Sequence, residues 1–190
     1  MVRELTGREA QHVADPTLLL SSQEWQIVQK PVEGLPDKYV LVYELHPLQS
    51  IMDLAQRIAS ENGCKVVRLC KATSDTREAE NVVNVVSACP SEFVYLFLHA
   101  AAVVTNSFHG TAFSINFKKD FYCVISRKLT NNSRQLGLLS MCGLLDRVVY
   151  DHETMPSLAS LKIDYAEASA KLNVFVEKSK QYIKRAIDGE

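Results

Sequence analysis

The sequence predicts an α/β domain, a Rossmann-like three-layer sandwich on a mostly parallel sheet. Short β-rich apolar runs recur along the chain, and apolar residues at helical spacing fill the gaps between them. Proline, glycine and Asn-Gly signals punctuate the boundaries. Strands alternating with helices of roughly 8–15 residues imply βαβ units, hence a parallel sheet covered on both faces.

The first stretch, through about Gly34, reads as irregular. Asp15-Pro16-Thr17 is a turn signal, because proline fixes its own φ and pushes its neighbour extended. Ser21 with Glu24 fits a capping box, so a short helix starts there. Residues 31–37 read as a linker. KYVLVYEL (38–45) is a buried strand, with Tyr43 and Glu44 at its end facing the expected cleft side. Leu48, Ile51, Leu54, Ala55 and Ile58 then recur at helical spacing, and Asn62-Gly63 ends that helix. KVVRLC (65–70) is a second strand, 71–81 a long polar loop, and NVVNVV (81–86) a third strand. Pro90-Ser91-Glu92 opens a helix running to about His99. AAVVTN (101–106) is a fourth strand, followed by a helix over about 110–118. DFYCVIS (120–126) is a fifth, RKLTNNS (127–133) a basic loop, 135–143 a helix and RVVY (147–150) a last strand. The tail, 165–187, is one amphipathic helix with Leu172, Phe175, Val176, Ser179, Tyr182 and Ile183 inward. The organisation read from this is a junction segment at 1–36, a Rossmann-like domain at 37–164 and a helix at 165–190 packed on it.

With 190 residues, 47% of them hydrophobic, the chain can bury the core of one domain. No apolar run approaches the roughly 18–20 residues of a spanning helix, and MVRELTGREA lacks the apolar stretch of a secretory signal. A net charge of −1 argues against a nucleic-acid surface. The five cysteines include no CxxC, so they read as buried, reduced thiols of a cytosolic protein rather than metal ligands. Neither GxGxxG nor a Walker A loop is present.

VTNSFHGT (104–111) is the leading site candidate. It lies where a strand ends and a helix begins, and open α/β sheets bind ligands outside the carboxyl ends of their strands. Ser107 and Thr111 either cap the helix or help seat an anion at its N-terminus, and Gly110 permits close backbone approach. Asn106 belongs to the same turn. His109 is the candidate proton carrier, as acid, base or hydrogen-bond anchor. Arg134, beside Ser133, is either an anion clamp or a solvated residue at a helix start.

AAVVTNSFHGTAFSINFKKDFYCV resembles the signature of the polysaccharide pyruvyl transferase family. Asp15-Pro16-Thr17-Leu18-Leu19-Leu20 with Trp25, the strand KYVLVYEL, Pro90-Ser91-Glu92-Phe93, Ser133-Arg134 with LGLL, and Gly143-Leu144-Leu145-Asp146-Arg147 are similar to further blocks, in order, over about residues 13–185. The resemblance implies one half of a GT-B-like two-domain enzyme, this chain being the C-terminal half and the N-terminal domain absent. It implies pyruvyl transfer from phosphoenolpyruvate to a sugar hydroxyl pair as a cyclic ketal, without metal or organic cofactor. The acceptor would be a sugar or lipid-linked saccharide, and the setting cytoplasmic assembly of polysaccharide precursors, with the isolated half inactive. His109 would be catalytic, with Asn106, Ser107, Gly110, Thr111, Ser133, Arg134 and Glu92 around the substrates. Two features depart from the pattern. Some members carry Arg-Leu-His where this chain has Ser107-Phe108-His109, and Val2-Arg3-Glu4 lies unusually close to Asp15. Two rival readings are a nucleotide-sugar glycosyltransferase of GT-B type and a non-catalytic sugar- or anion-binding member.

Overall fold

The computed structural model describes residues 2–7, 9–76, 79–128, 132–157 and 162–189. Parts of the loops read at 71–81 and 127–133 therefore lie outside the described residues. In chain order the elements are α1 (Val2–Thr6), α2 (Pro16–Leu19), α3 (Ser22–Val28), β1 (Tyr39–Tyr43), α4 (Gln49–Glu61), β2 (Lys65–Cys70), β3 (Val82–Val86), α5 (Pro90–His99), β4 (Ala102–Thr105), α6 (Phe108–Asn116), β5 (Asp120–Ile125), α7 (Ser133–Cys142), β6 (Val148–Tyr150) and α8 (Tyr165–Asp188).

The six strands form one sheet in the order β3-β2-β1-β4-β5-β6, with every neighbouring pair parallel. This is the doubly wound Rossmann-like order. The chain leaves β1 toward β2 and β3 on one side and returns through β4 toward β5 and β6 on the other. The switch point lies between β1 and β4, whose carboxyl ends meet at the Tyr43–Thr105 pair.

Strand side chains alternate between two apolar layers, as a period of two requires. Val40, Val42, Val66, Ala102, Val104, Tyr122 and Val124 pack on Ile51, Leu54, Ala55 and Ile58 of α4. Leu41, Val67, Val103, Phe121, Cys123 and Ile125 face the other way, onto α2, α5, α6, α7 and α8. The sandwich is lopsided. Among the described residues β2 and β3 are joined by loop and a 3-10 turn at Thr73–Asp75, so α4 is the one helix on its side.

Within the segment expected to be irregular, residues 14–25 are folded onto the body. Ala14 and Leu18 are buried in the larger layer. The Ala14 N–H donates to Ser179 Oγ of α8 at 2.9 Å. Asn116 Nδ2 donates to the carbonyls of Thr17 at 3.1 Å and Leu20 at 2.9 Å, and Trp25 Nε1 donates to Thr17 O at 3.0 Å. The Ser21–Glu24 capping box is formed as the sequence indicates. On α8, Leu172, Val176 and Ser179 are buried, whereas Tyr182 is exposed, because the last turns run past the body of the domain. Cys70, Cys123 and Cys142 are buried free thiols, but Cys89 is exposed at the start of α5. Burial pushes the Cys123 and Cys142 thiols up to about 11.

Candidate active site

The turn from β4 into α6 holds itself together with its own polar groups. Ser107 is the N-cap, and its hydroxyl accepts from the Gly110 N–H at 3.3 Å. The helix therefore starts at Phe108, two residues before the sequence reading, because the cap is supplied early. Thr111 is fully buried and its hydroxyl donates to Ser107 O at 3.0 Å. Thr105 Oγ1 donates to Tyr43 O at 2.5 Å and accepts from the Ser107 N–H at 3.0 Å. The hydroxyls of Ser107 and Thr111 are thus engaged inside the fold. Gly110 is needed for packing: a Cβ there would lie 3.0 Å from Thr105 Cβ and closer still to its Oγ1. The close approach it permits is to a threonine.

Asn106 closes the switch point. Its Oδ1 accepts from the Leu45 N–H at 2.7 Å and its Nδ2 donates to His46 O at 2.7 Å, so one side chain ties the loops leaving β4 and β1. Gln135 on α7 donates through Nε2 to Asn106 O at 3.1 Å. Its Oε1 is the buried side-chain acceptor without a partner among the described residues. Glu44 lies at the carboxyl end of β1, the side expected, but is buried against Arg68, whose Nε and Nη2 donate to its Oε1 at 2.9 and 2.8 Å. Glu92 completes the cap of α5 by accepting from the Cys89 N–H at 2.9 Å, which holds its carboxyl below the ordinary value. Its other charge contact among the described residues is Lys30 at 3.8 Å, not His109.

His109 and Arg134 do come together, on Asp15. His109 stands in the first turn of α6 and Arg134 in the first turn of α7. Arg134 Nη2 donates to Asp15 Oδ2 at 3.1 Å, and His109 Nε2 lies 3.8 Å from the same oxygen. The Arg134 guanidinium also stacks over the Phe108 ring at 3.8 Å. The His109 and Arg134 side chains are 49% and 58% exposed, so both are open to a ligand, while Asp15 is only 15% exposed. Asp15 Oδ1 is occupied in capping α2, accepting from the Thr17 N–H at 3.1 Å.

A cavity of about 610 Å³ opens beside this corner. Asp15, Ser133 and Arg134 contribute polar groups to its lining, and Val13, Leu18, Leu138, Met141 and Phe175 apolar ones. His12 also lines it and packs its ring 5.3 Å from that of Phe175. Asp15 is the residue that sequence reasoning missed here. The Asp-Pro-Thr triplet signals a turn, and nothing local says that its carboxylate meets Arg134, 119 positions away. Among the described residues no cluster of three His, Cys, Asp or Glu side chains can hold a metal, and no helix is long and apolar enough to cross a membrane.

No curated protein sequence matches the chain. A solved structure similar to it is UDP-GlcNAc 2-epimerase from Methanocaldococcus jannaschii, at 11% identity and a TM-score of 0.46. That similarity covers 87% of this chain, which spans only about half (48%) of the other. The family model described as polysaccharide pyruvyl transferase matches residues 1–127, a span that contains Asp15, the β4–α6 turn and His109. With two-thirds of its length under that model, the chain belongs to the polysaccharide pyruvyl transferase family.

Proposed function

We propose that this chain supplies the donor seat of a pyruvyl transferase, holding phosphoenolpyruvate at the His109–Arg134 corner and passing its pyruvyl group to two sugar hydroxyls. The observation that carries this reading is the convergence of His109 and Arg134 on Asp15, from the first turns of two helices, beside a cavity that Arg134 and Asp15 line. Phosphoenolpyruvate carries a phosphate and a carboxylate. A guanidinium fork matches either group, and two helix N-termini add positive dipole ends. Arg134 stands in for the arginine that some relatives carry two positions before the histidine. Ser133 adds a hydroxyl on the same wall.

The chemistry needs little else from the protein. Two hydroxyl oxygens bond to C2 of the enolpyruvyl group, and the bond from C2 to the phosphate oxygen breaks. C3 gains one proton and becomes a methyl group. Of the two hydroxyl protons, one balances that methyl and the other leaves with phosphate. His109 is the side chain placed to move a proton in this sequence. The cavity beside it, lined by both apolar and polar groups, suits a sugar acceptor, sugar rings having both kinds of face. A second domain across the mouth completes the cleft in this reading, and the setting is cytoplasmic.

Calorimetric titration of phosphoenolpyruvate, with UDP as the comparison ligand, tests the reading on the wild type, Arg134→Ala and His109→Ala. Saturable phosphoenolpyruvate binding is expected, weakened about tenfold or more by Arg134→Ala and also reduced by His109→Ala. Preference for UDP, or phosphoenolpyruvate binding indifferent to both substitutions, would favour a nucleotide-sugar enzyme or a different seat.

A further inference from the structure

Asp15 raises a question that the donor reading leaves open. A carboxylate in an anion seat competes with the anion. We propose that Asp15 is a built-in counter-ion. It holds Arg134 and His109 together in the unliganded protein and gives up Arg134 when an anionic ligand enters, thereby setting the affinity of the seat. This rests on the reading of the corner as a donor seat.

The geometry divides the work of this carboxylate between its two oxygens. Oδ1 belongs to the backbone: it accepts from the Thr17 N–H at 3.1 Å and the Thr17 hydroxyl at 2.8 Å, capping α2. Oδ2 belongs to the corner, meeting Arg134 Nη2 at 3.1 Å and His109 Nε2 at 3.8 Å. The backbone under Asp15 is fixed from both sides. The Ala14 N–H is bonded to Ser179 on α8, and Thr17 O takes bonds from Trp25 and Asn116. Asp15 is therefore the rigid member of the cluster. Arg134 is the mobile one, on a long side chain that is 58% exposed and stacked over Phe108. A guanidinium that slides along an aromatic face keeps that contact while exchanging one anion for another. With its guanidinium half open to water, Arg134 can leave Asp15 for an incoming dianion without being pulled out of a closed interior.

The consequence has a sign that a purely structural role does not share. Asp15→Asn keeps an acceptor for Thr17 and removes the charge; Asp15→Ser keeps a capping oxygen and also removes the charge. Both variants are expected to bind phosphoenolpyruvate and inorganic phosphate about tenfold more tightly than the wild type, a change of about 1.4 kcal/mol. Arg134→Ala placed on Asp15→Asn should abolish the gain. Urea unfolding of each variant checks that the fold is kept. If affinity is unchanged or weaker in both Asp15 variants while Arg134→Ala still weakens the wild type, the counter-ion role is overturned and the donor seat stands. If no form takes up phosphoenolpyruvate or phosphate, the donor seat falls and the counter-ion role with it.

Discussion

Gly110 shows how closely the β4–α6 turn is built. Its missing side chain makes room for Thr105, whose hydroxyl joins the end of β1 to the first residue of the turn. Gly110→Ala pushes a methyl group into that hydroxyl and should cost about 1–3 kcal/mol, as overpacking usually does. The urea midpoint measures it, and an unchanged midpoint would mean that the turn relaxes freely. The reading of Gly110 and Thr111 from the sequence identified the turn but not its economy. Small and hydroxyl-bearing residues at a strand–helix junction serve a ligand or the turn itself, and the pattern is the same for both. The third dimension decides: Thr111 lies under Ser107 and against Cys123, with no face left to solvent.

At the scale of elements, α5 carries a pH-sensitive contact. His99, in its last turn, has Nε2 3.1 Å from Gln29 Oε1 just beyond α3, and its ring stacks on Tyr95 at 4.0 Å. Burial, and then the charge of nearby Lys119, lower the His99 imidazole from its ordinary 6.5. The unfolded chain therefore binds this proton more readily than the folded one. Stability should rise with pH from the lowered folded value up to 6.5 and level off above it, with the contribution lost as pH falls through that window. Urea midpoints across that range should be flatter in His99→Gln, and an unaltered slope would assign the pH dependence elsewhere. The elements themselves were legible. Strands such as KVVRLC and the helical spacing of Leu54, Ala55 and Ile58 reflect burial on both faces of a sheet, which the sequence must encode locally. The four-residue helix α2 and the five-residue α1 were not read. Helices that short have too few positions to show a period, and α2 owes its place to packing against α6 and α8.

For the molecule as a whole, the alternation of strands and helices implied the parallel sheet, and the topology then put His109 on its carboxyl-end side. The strand order itself was not legible, since it depends on which strands pair. The buried Glu44–Arg68 pair and the Asp15–Arg134 contact depend on the same pairing and escaped the sequence for that reason. Two regions of the carboxyl-end surface combine a cavity with an arginine and are the candidate anion seats. One is the Asp15–His109–Arg134 corner with its cavity of about 610 Å³; the other is a polar cavity of about 380 Å³ lined by Glu44, Arg68, Lys71 and Asp75 at the ends of β1 and β2. In the second, Arg68 is buried (4% exposed) and held by Glu44 and the Asp75 carbonyl, whereas Arg134 in the first is 58% exposed and held by one carboxylate oxygen. The more open guanidinium puts the proposed donor seat in the first. A crystal structure of the chain soaked with phosphoenolpyruvate tests this most directly. Ligand density is expected with a phosphate or carboxylate oxygen within hydrogen-bond distance of Arg134 and His109, and with Arg134 turned away from Asp15. Density over Arg68 and Lys71 instead, or no density at either place, would contradict it.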